Sequence, residues 1–176
     1  MLTNPRRHWL RQVARGGVSL ASVAVLTACG FQLRKAPDLP FKTLYTNIAE
    51  TSLFGQLLRR NLKSLGNLEI ITDVRDIERA DVVLDLIQEL QEKVILSRTS
   101  TGTVREFTLR LRVRFKLLTR NGDELIPDSE IVQEREISFN ETSALSKESE
   151  EQLLYRDMRS DLVQQLIRRL AAARLP

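Results

Sequence analysis

Histidine occurs once in these 176 residues, as His8, and tryptophan once, as the neighbouring Trp9. Cysteine also occurs once, as Cys29. A lone thiol closes no disulfide within the chain, and a sequence without clustered Cys and His lacks the donor set of a structural zinc site. With no imidazole after residue 8, the usual activator of a Ser or Cys nucleophile is missing from the body of the chain. The seven glycines show none of the spacings of a phosphate-cradling loop. No catalytic residue, metal site or cofactor is therefore expected. Aromatic residues make up only 5%, so the core has to be built from Leu, Ile and Val. Acidic residues are absent from the first 28 positions, which carry Arg6, Arg7, Arg11 and Arg15. The longest apolar run near the start, residues 18–26, is about half the roughly 20 residues that a membrane span needs.

What is present begins with that leader. A basic start, a short apolar run and small residues before position 29 make a secretory signal peptide of residues 1–28. Leu26-Thr27-Ala28-Cys29 fits the bacterial lipobox, in which the cysteine sulfur takes a diacylglycerol thioether and becomes the first residue after cleavage. A buried thiol at Cys29, or a membrane anchor at residues 18–26, are the plainer readings. Loss of the leader also changes the charge. The chain has 27 Lys+Arg against 23 Asp+Glu, and four of those arginines lie in the leader, so the remaining 148 residues are formally neutral. A neutral chain lacks the cation excess that neutralises nucleic-acid phosphates, and no nucleic-acid partner is expected. Residues 29–40, which contain Pro37 and Pro40, read as a lipidated tether. Residues 41–176 read as one domain.

Along that domain, residues 41–46 are a strand candidate. A helix follows, capped by Thr51 or Ser52, with Phe54, Leu58, Leu62 and Leu65 on one side and Gly66 at its end. Residues 68–74 read as a second strand, parallel to the first. After a charged turn, Val82, Leu84, Leu86, Leu90, Val94 and Leu96 share one parity in a long extended segment, with a bend expected near residues 88–91. Residues 106–117 then alternate without exception: Phe107, Leu109, Leu111, Val113, Phe115 and Leu117 against polar neighbours, a half-buried strand. Asn121-Gly122 marks a hairpin, and residues 131–139 return as its partner, with Pro127 interrupting the pairing. The chain closes in a helix, capped by Ser146 or Ser149, with Leu154, Met158, Leu162, Leu166 and Leu170 as its stripe.

Two helices with one apolar stripe each, and strands with one apolar parity, pair off as layers. The expected fold class is α+β, a two-layer sandwich of two helices on a mixed four- or five-stranded sheet. Its other sheet face carries Arg110, Arg112, Arg114 and Lys116, expected beside Glu134 and Glu136 across the hairpin. Cross-strand charge pairs in water are the simpler reading of that face, and contact with another protein the sharper one.

Several motifs together resemble a known family. They are Cys29-Gly30-Phe31-Gln32-Leu33-Arg34 after the lipobox, Gly102 followed by Glu106-Phe107 opening a long strand, the Ala144-Leu145-Ser146-Lys147-Glu148 turn, and the closing Gln165-Leu166-Ile167-Arg168-Arg169-Leu170. In this order they resemble the lipopolysaccharide-assembly lipoproteins of Gram-negative outer membranes, the LptE type. The resemblance implies a protein held by acyl chains on Cys29 at the periplasmic face of the outer membrane. It implies a domain that plugs and helps to assemble the large β-barrel delivering lipopolysaccharide to the cell surface, and that binds lipopolysaccharide itself. Lys147 stands where the family has a basic residue associated with lipopolysaccharide. A second basic position of the family falls on Ser100 in this chain, and the flanking Arg98 and Arg105 are its expected substitutes. No covalent chemistry is implied.

Two other functions stay open. One is a lipid-anchored scaffold for a different envelope partner, such as peptidoglycan or another assembly machine. The other is an envelope hydrolase using Asp85 with Glu89, or Glu134 with Glu136, as a carboxylate pair.

Overall fold

Strict alternation along residues 106–117 produces the central strand of a long antiparallel unit. The computed structural model describes residues 37–139 and 144–175, so the leader, Cys29 and the motif after it lie outside the described residues. β1 (Thr43–Thr46), α1 (Leu53–Ser64) and β2 (Glu69–Ile71) come first, then a 3-10 turn (Val74–Arg79). β3 (Val82–Arg98), β4 (Val104–Thr119), β5 (Glu124–Ser138) and α2 (Ala144–Ala171) complete the domain. The sheet runs β2-β1-β3-β4-β5. β1 is parallel to both β2 and β3, whereas β3, β4 and β5 are antiparallel neighbours, which makes the five-stranded sheet mixed.

Both helices cover one face. Leu109, Leu111, Val113, Phe115 and Leu117 of β4 are fully buried and share a core with Phe54, Leu58 and Leu62 of α1 and with Met158, Leu162, Leu166 and Leu170 of α2. Burying each such side chain contributes about 1.5–3 kcal/mol, so this interface is what holds the two layers together. Among the described residues the opposite face is covered at the β1–β2 end, where Tyr45, Ile71 and Ala80 pack with Ile77 of the 3-10 turn.

Local chemistry sets α1 in place. Ser52 is its N-cap, and the Ser52 Oγ accepts from the Gly55 N–H at 2.9 Å while donating to Glu89 Oε2 of β3 at 2.7 Å. One hydroxyl thereby satisfies a free helix donor and ties the helix to the sheet. Gly55 lets the preceding loop lie against the helix: a Cβ there would sit 2.3 Å from Ile48 Cγ2. At the sheet end, Asp81 clamps β1 to β3. Its Oδ2 accepts from the Lys42 N–H at 2.9 Å and from the Thr43 N–H at 3.0 Å. The Lys42 N–H above all, with lesser help from Thr43 and the Arg120 charge, holds this carboxyl below the usual aspartate range against the opposing effect of burial.

Three expectations are corrected. The single parity expected for Val82, Leu84, Leu86, Leu90, Val94 and Leu96 does not hold, because β3 bulges at Ile87: Leu86 pairs with Phe115, but Gln88 pairs with Arg114. The extra residue inverts the faces beyond it. Leu90 and Val94 turn away from the helices, while Glu89, Gln91 and Lys93 turn toward them. That inversion also puts Asp85 and Glu89 on opposite faces, so they form no carboxylate pair. Second, α2 starts at Ala144, so Ser146 and Ser149 lie inside the helix and cap nothing; the Ser149 Oγ donates back to the Leu145 carbonyl. Third, residues 131–139 are only the far half of the return strand, which starts at Glu124. Pro127 does interrupt it, where Phe115 pairs with Ser129 but Leu117 with Ile126.

Candidate functional site

At the far end of the sandwich the first turns of α2 stand over the ends of β3, β4 and β5. Between them lies a cleft of about 320 Å³, lined by Lys93, Phe107, Ile137, Ser138, Phe139, Lys147, Glu148 and Glu151. Phe107 and Phe139 meet edge to face, 5.6 Å apart at 82°, and form an apolar wall. Two ammonium groups reach the cleft. The Lys147 Nζ donates to Ser138 Oγ at 3.1 Å and to Glu150 Oε2 at 2.8 Å. The Lys93 Nζ lies 4.5 Å from the centre of the Phe107 ring and pairs with Glu151. Cation–π attraction of that kind is worth about 0.5–1 kcal/mol at an exposed site.

Below the cleft Tyr155 fixes α2 to β3: its hydroxyl donates to the Glu92 carbonyl at 2.6 Å. Burial, followed by the nearby Glu151 and Glu92 carboxylates, pushes the phenol up to about 12. Tyr155 is therefore a permanent donor at any physiological pH, and it locks the helix whose first turn carries Lys147.

Of the expected lipopolysaccharide-binding residues, Lys147 is in the cleft. Arg105 is next to it through the backbone, since its carbonyl accepts from the Phe139 N–H at 2.8 Å, and its exposed side chain projects from an irregularity where Arg98 pairs with Val104. Arg98 is exposed at the hairpin tip, where its guanidinium donates to the Gly102 carbonyl at 3.0 Å. Lys93 is the residue that sequence reasoning missed. Straight alternation places it on the solvent face with the polar residues of β3, and only the Ile87 bulge brings it under α2.

The sheet face away from the helices carries cross-strand charge pairs. Arg110 pairs with Glu134, Arg112 with Glu92, Arg114 with Asp128 and Lys116 with Asp85. Glu136, expected among these partners, instead sits opposite Thr108. The row of cations is thus neutralised from both neighbouring strands. Glu134, one half of the second imagined carboxylate pair, is committed to Arg110. Among the described residues no group of His, Cys, Asp and Glu is placed to hold a metal ion, and no helix is long and apolar enough to cross a membrane.

Two helices on one face of a mixed five-stranded sheet, with a charged, aromatic-walled cleft at one end, define a two-layer α+β domain. Residues 41–170 match the family model LptE, described as lipopolysaccharide-assembly, and the chain belongs to that family. A similar protein from Photorhabdus laumondii, named LPS-assembly lipoprotein LptE, is 29% identical over 152 residues, 85% of this chain and 80% of the relative. Among solved structures, the chain is similar to lipoprotein B of Nitrosomonas europaea, with a TM-score of 0.69 and 32% identity, covering 81% of this chain and 90% of that one. It is also similar to the rare lipoprotein B of Shewanella oneidensis, with a TM-score of 0.60 and 26% identity over 74% and 94% of the two chains.

Proposed function

We propose that the protein is anchored by acyl groups on Cys29 to the periplasmic face of the outer membrane, and that its sandwich occupies and helps to assemble the β-barrel that carries lipopolysaccharide to the surface. In this reading the protein also binds lipopolysaccharide at the end of α2. The observation that carries the binding role is the cleft itself. It offers the Lys147 ammonium in the first turn of a helix, whose backbone N–H groups favour anions, with Lys93 opposite and a wall of Phe107 and Phe139. Phosphates on a glycolipid need cations, and its acyl chains need an apolar surface; the cleft supplies both within about 320 Å³. Arg98 and Arg105 extend the positive charge around the hairpin. The family match supports the assembly role.

The test has two arms. Affinity purification of the native full chain should recover a barrel of large strand number in a one-to-one ratio, and mass spectrometry should find Cys29 acylated with residues 1–28 gone. Reversing charge at Lys147 and Arg98 together should weaken lipopolysaccharide binding with the fold intact. Recovery of the protein alone from detergent-extracted envelopes, or unchanged binding by the double variant, would sink the corresponding arm.

A further inference from the structure

A second cationic surface lies elsewhere, on the outward side of the helix layer. Leu53, Gln56, Leu57 and Arg60 follow one another at steps of three, one and three on α1, and Leu153, Arg156, Asp157 and Ser160 repeat that spacing on α2. Such steps put each set on one helix face. With Arg159 they line a groove of about 630 Å³ between the two helices. The helices run in the same direction: α1 returns from β1 to its parallel neighbour β2, and α2 runs back along β5, which points the same way as β1, from Lys147 at Ser138 through Asp161 at Arg135. Between the helices the Gln164 amide donates to Asn61 Oδ1 at 3.0 Å. The groove is therefore polarised. Leu53 and Leu153, 59% and 55% exposed, form its apolar end, and Arg60, Arg156 and Arg159 lie one to two turns along.

The charges of this groove are arranged unlike those of the sheet. Arg110, Arg112, Arg114 and Lys116 each face a carboxylate from a neighbouring strand. Among the described residues Arg60, Arg156 and Arg159 form no salt bridge with any of the carboxylates that pair elsewhere. The Arg159 Nε is buried and has no acceptor among the described residues, whereas the Arg112 Nε of the sheet, also without a well-aligned hydrogen bond, still lies 3.1 Å from Glu92 Oε2. Asp157 is the one carboxylate lining the groove, against three guanidinium groups. A buried donor without an acceptor is costly, and planar guanidinium forks match phosphate oxygens two at a time.

We propose that this groove binds a phosphate-bearing lipid, its headgroup held by Arg60, Arg156 and Arg159 and its chain laid toward Leu53 and Leu153. The site is separate from the Lys147 cleft. A single amphiphile complements both ends of the groove, whereas free phosphate uses only the cationic end. An acidic peptide would leave the exposed Leu53 and Leu153 uncovered unless it carried apolar residues at matching spacing.

The experiment uses the full chain in dodecyl maltoside micelles doped with dioleoyl phosphatidic acid or, separately, with dioleoyl phosphatidylcholine. Arginine Nε–Hε signals are followed by NMR. Phosphatidic acid should shift the Arg159 and Arg156 signals saturably, phosphatidylcholine should not, and Arg156→Gln with Arg159→Gln should weaken binding at least tenfold. If that pair unfolds the chain, the exposed Arg60→Gln should still weaken binding several-fold. The signals followed belong to arginines that do not line the Lys147 cleft, so this site and the cleft succeed or fail independently. Equal shifts with phosphatidylcholine, equal shifts with inorganic phosphate at the same concentration, tighter binding of hexaglutamate, or an unweakened response in the arginine variants would each overturn the proposal.

Discussion

Lys147 provides a test in which two neighbouring substitutions must act in opposite directions. In the free protein its ammonium is held by Glu150 at 2.8 Å and by Ser138 Oγ at 3.1 Å. A phosphate arriving in the cleft exchanges the first of these for itself. An exposed ion pair at this helical spacing is worth about 0.2–0.5 kcal/mol, whereas a hydrogen bond to a charged group contributes about 1.5–3 kcal/mol. The net gain from Lys147 is then about 1–2.5 kcal/mol, and removing it as Lys147→Ala should weaken lipopolysaccharide binding about five- to sixtyfold. Glu150→Gln removes only the competitor and should strengthen binding by up to about twofold, as the smaller energy allows. Isothermal titration of lipopolysaccharide into the full chain, at near-physiological salt because surface charge is screened, measures both. Stability should change by less than about 1 kcal/mol in either variant, since the two side chains form a single partly exposed ion pair. The reasoning is refuted if Lys147→Ala binds within about 1.5-fold of the parent, or if Glu150→Gln weakens binding.

Two further substitutions test the frame that carries the site. Gly55→Ala places a Cβ 2.3 Å from Ile48 Cγ2 and 3.3 Å from the Ala49 carbonyl; overpacking of about 1–3 kcal/mol outweighs the helix-propensity gain of about 0.5–1 kcal/mol, so urea denaturation should show a loss, and a variant as stable as the parent would contradict the close approach. Combined with Ile48→Ala, the loss should be less than additive. Asp81→Ala should cost about 1–2 kcal/mol near neutrality, the worth of charge-assisted bonds discounted for exposure. Because the folded Asp81 carboxyl is held below its ordinary value of 3.8, its contribution is present above that value and is lost as pH falls through the lowered one. The denaturation midpoints of parent and variant should therefore differ near neutrality and converge at strongly acidic pH, and a constant gap would refute the assignment.

Features written in local chemistry were legible from the sequence. Ser52 could be read as a cap because a cap needs only its own helix. The β4 alternation could be read because the helix layer buries one face along its whole length. Asn121-Gly122 could be read because a tight turn requires positive φ, which Gly122 adopts at +94°. Features that depend on which strands become neighbours were not legible. The carboxylates neutralising Arg112 and Lys116 come from β3, Glu92 and Asp85, whereas pairing across the β4–β5 hairpin pointed to Glu134 and Glu136. Lys93 was lost for the same reason: its side of the sheet is set by a bulge that its own neighbours do not announce.

That bulge supplies the sharpest test of the site's construction. Beyond Ile87 the pairing runs without interruption from Gln88 opposite Arg114 to Ile95 opposite Phe107. Deleting Ile87, which is 42% exposed, joins Leu86 directly to Gln88. Leu86 stays opposite Phe115 and Gln88 opposite Arg114, with normal alternation restored, so every later side chain keeps its face. Lys93 still meets Glu151, and the Tyr155 hydroxyl still reaches the Glu92 carbonyl. The cost is limited to the change of local twist, and the loss should stay below about 2 kcal/mol. Deleting Gln91 instead removes a residue from continuous pairing and inverts everything after it, throwing Lys93 out of the cleft and Glu92 under the helix. The two deletions, four positions apart in one strand, should therefore differ sharply in denaturation midpoint and in lipopolysaccharide binding. If removal of Ile87 proves as damaging as removal of Gln91, β3 has no bulge there and Lys93 has no place in the site.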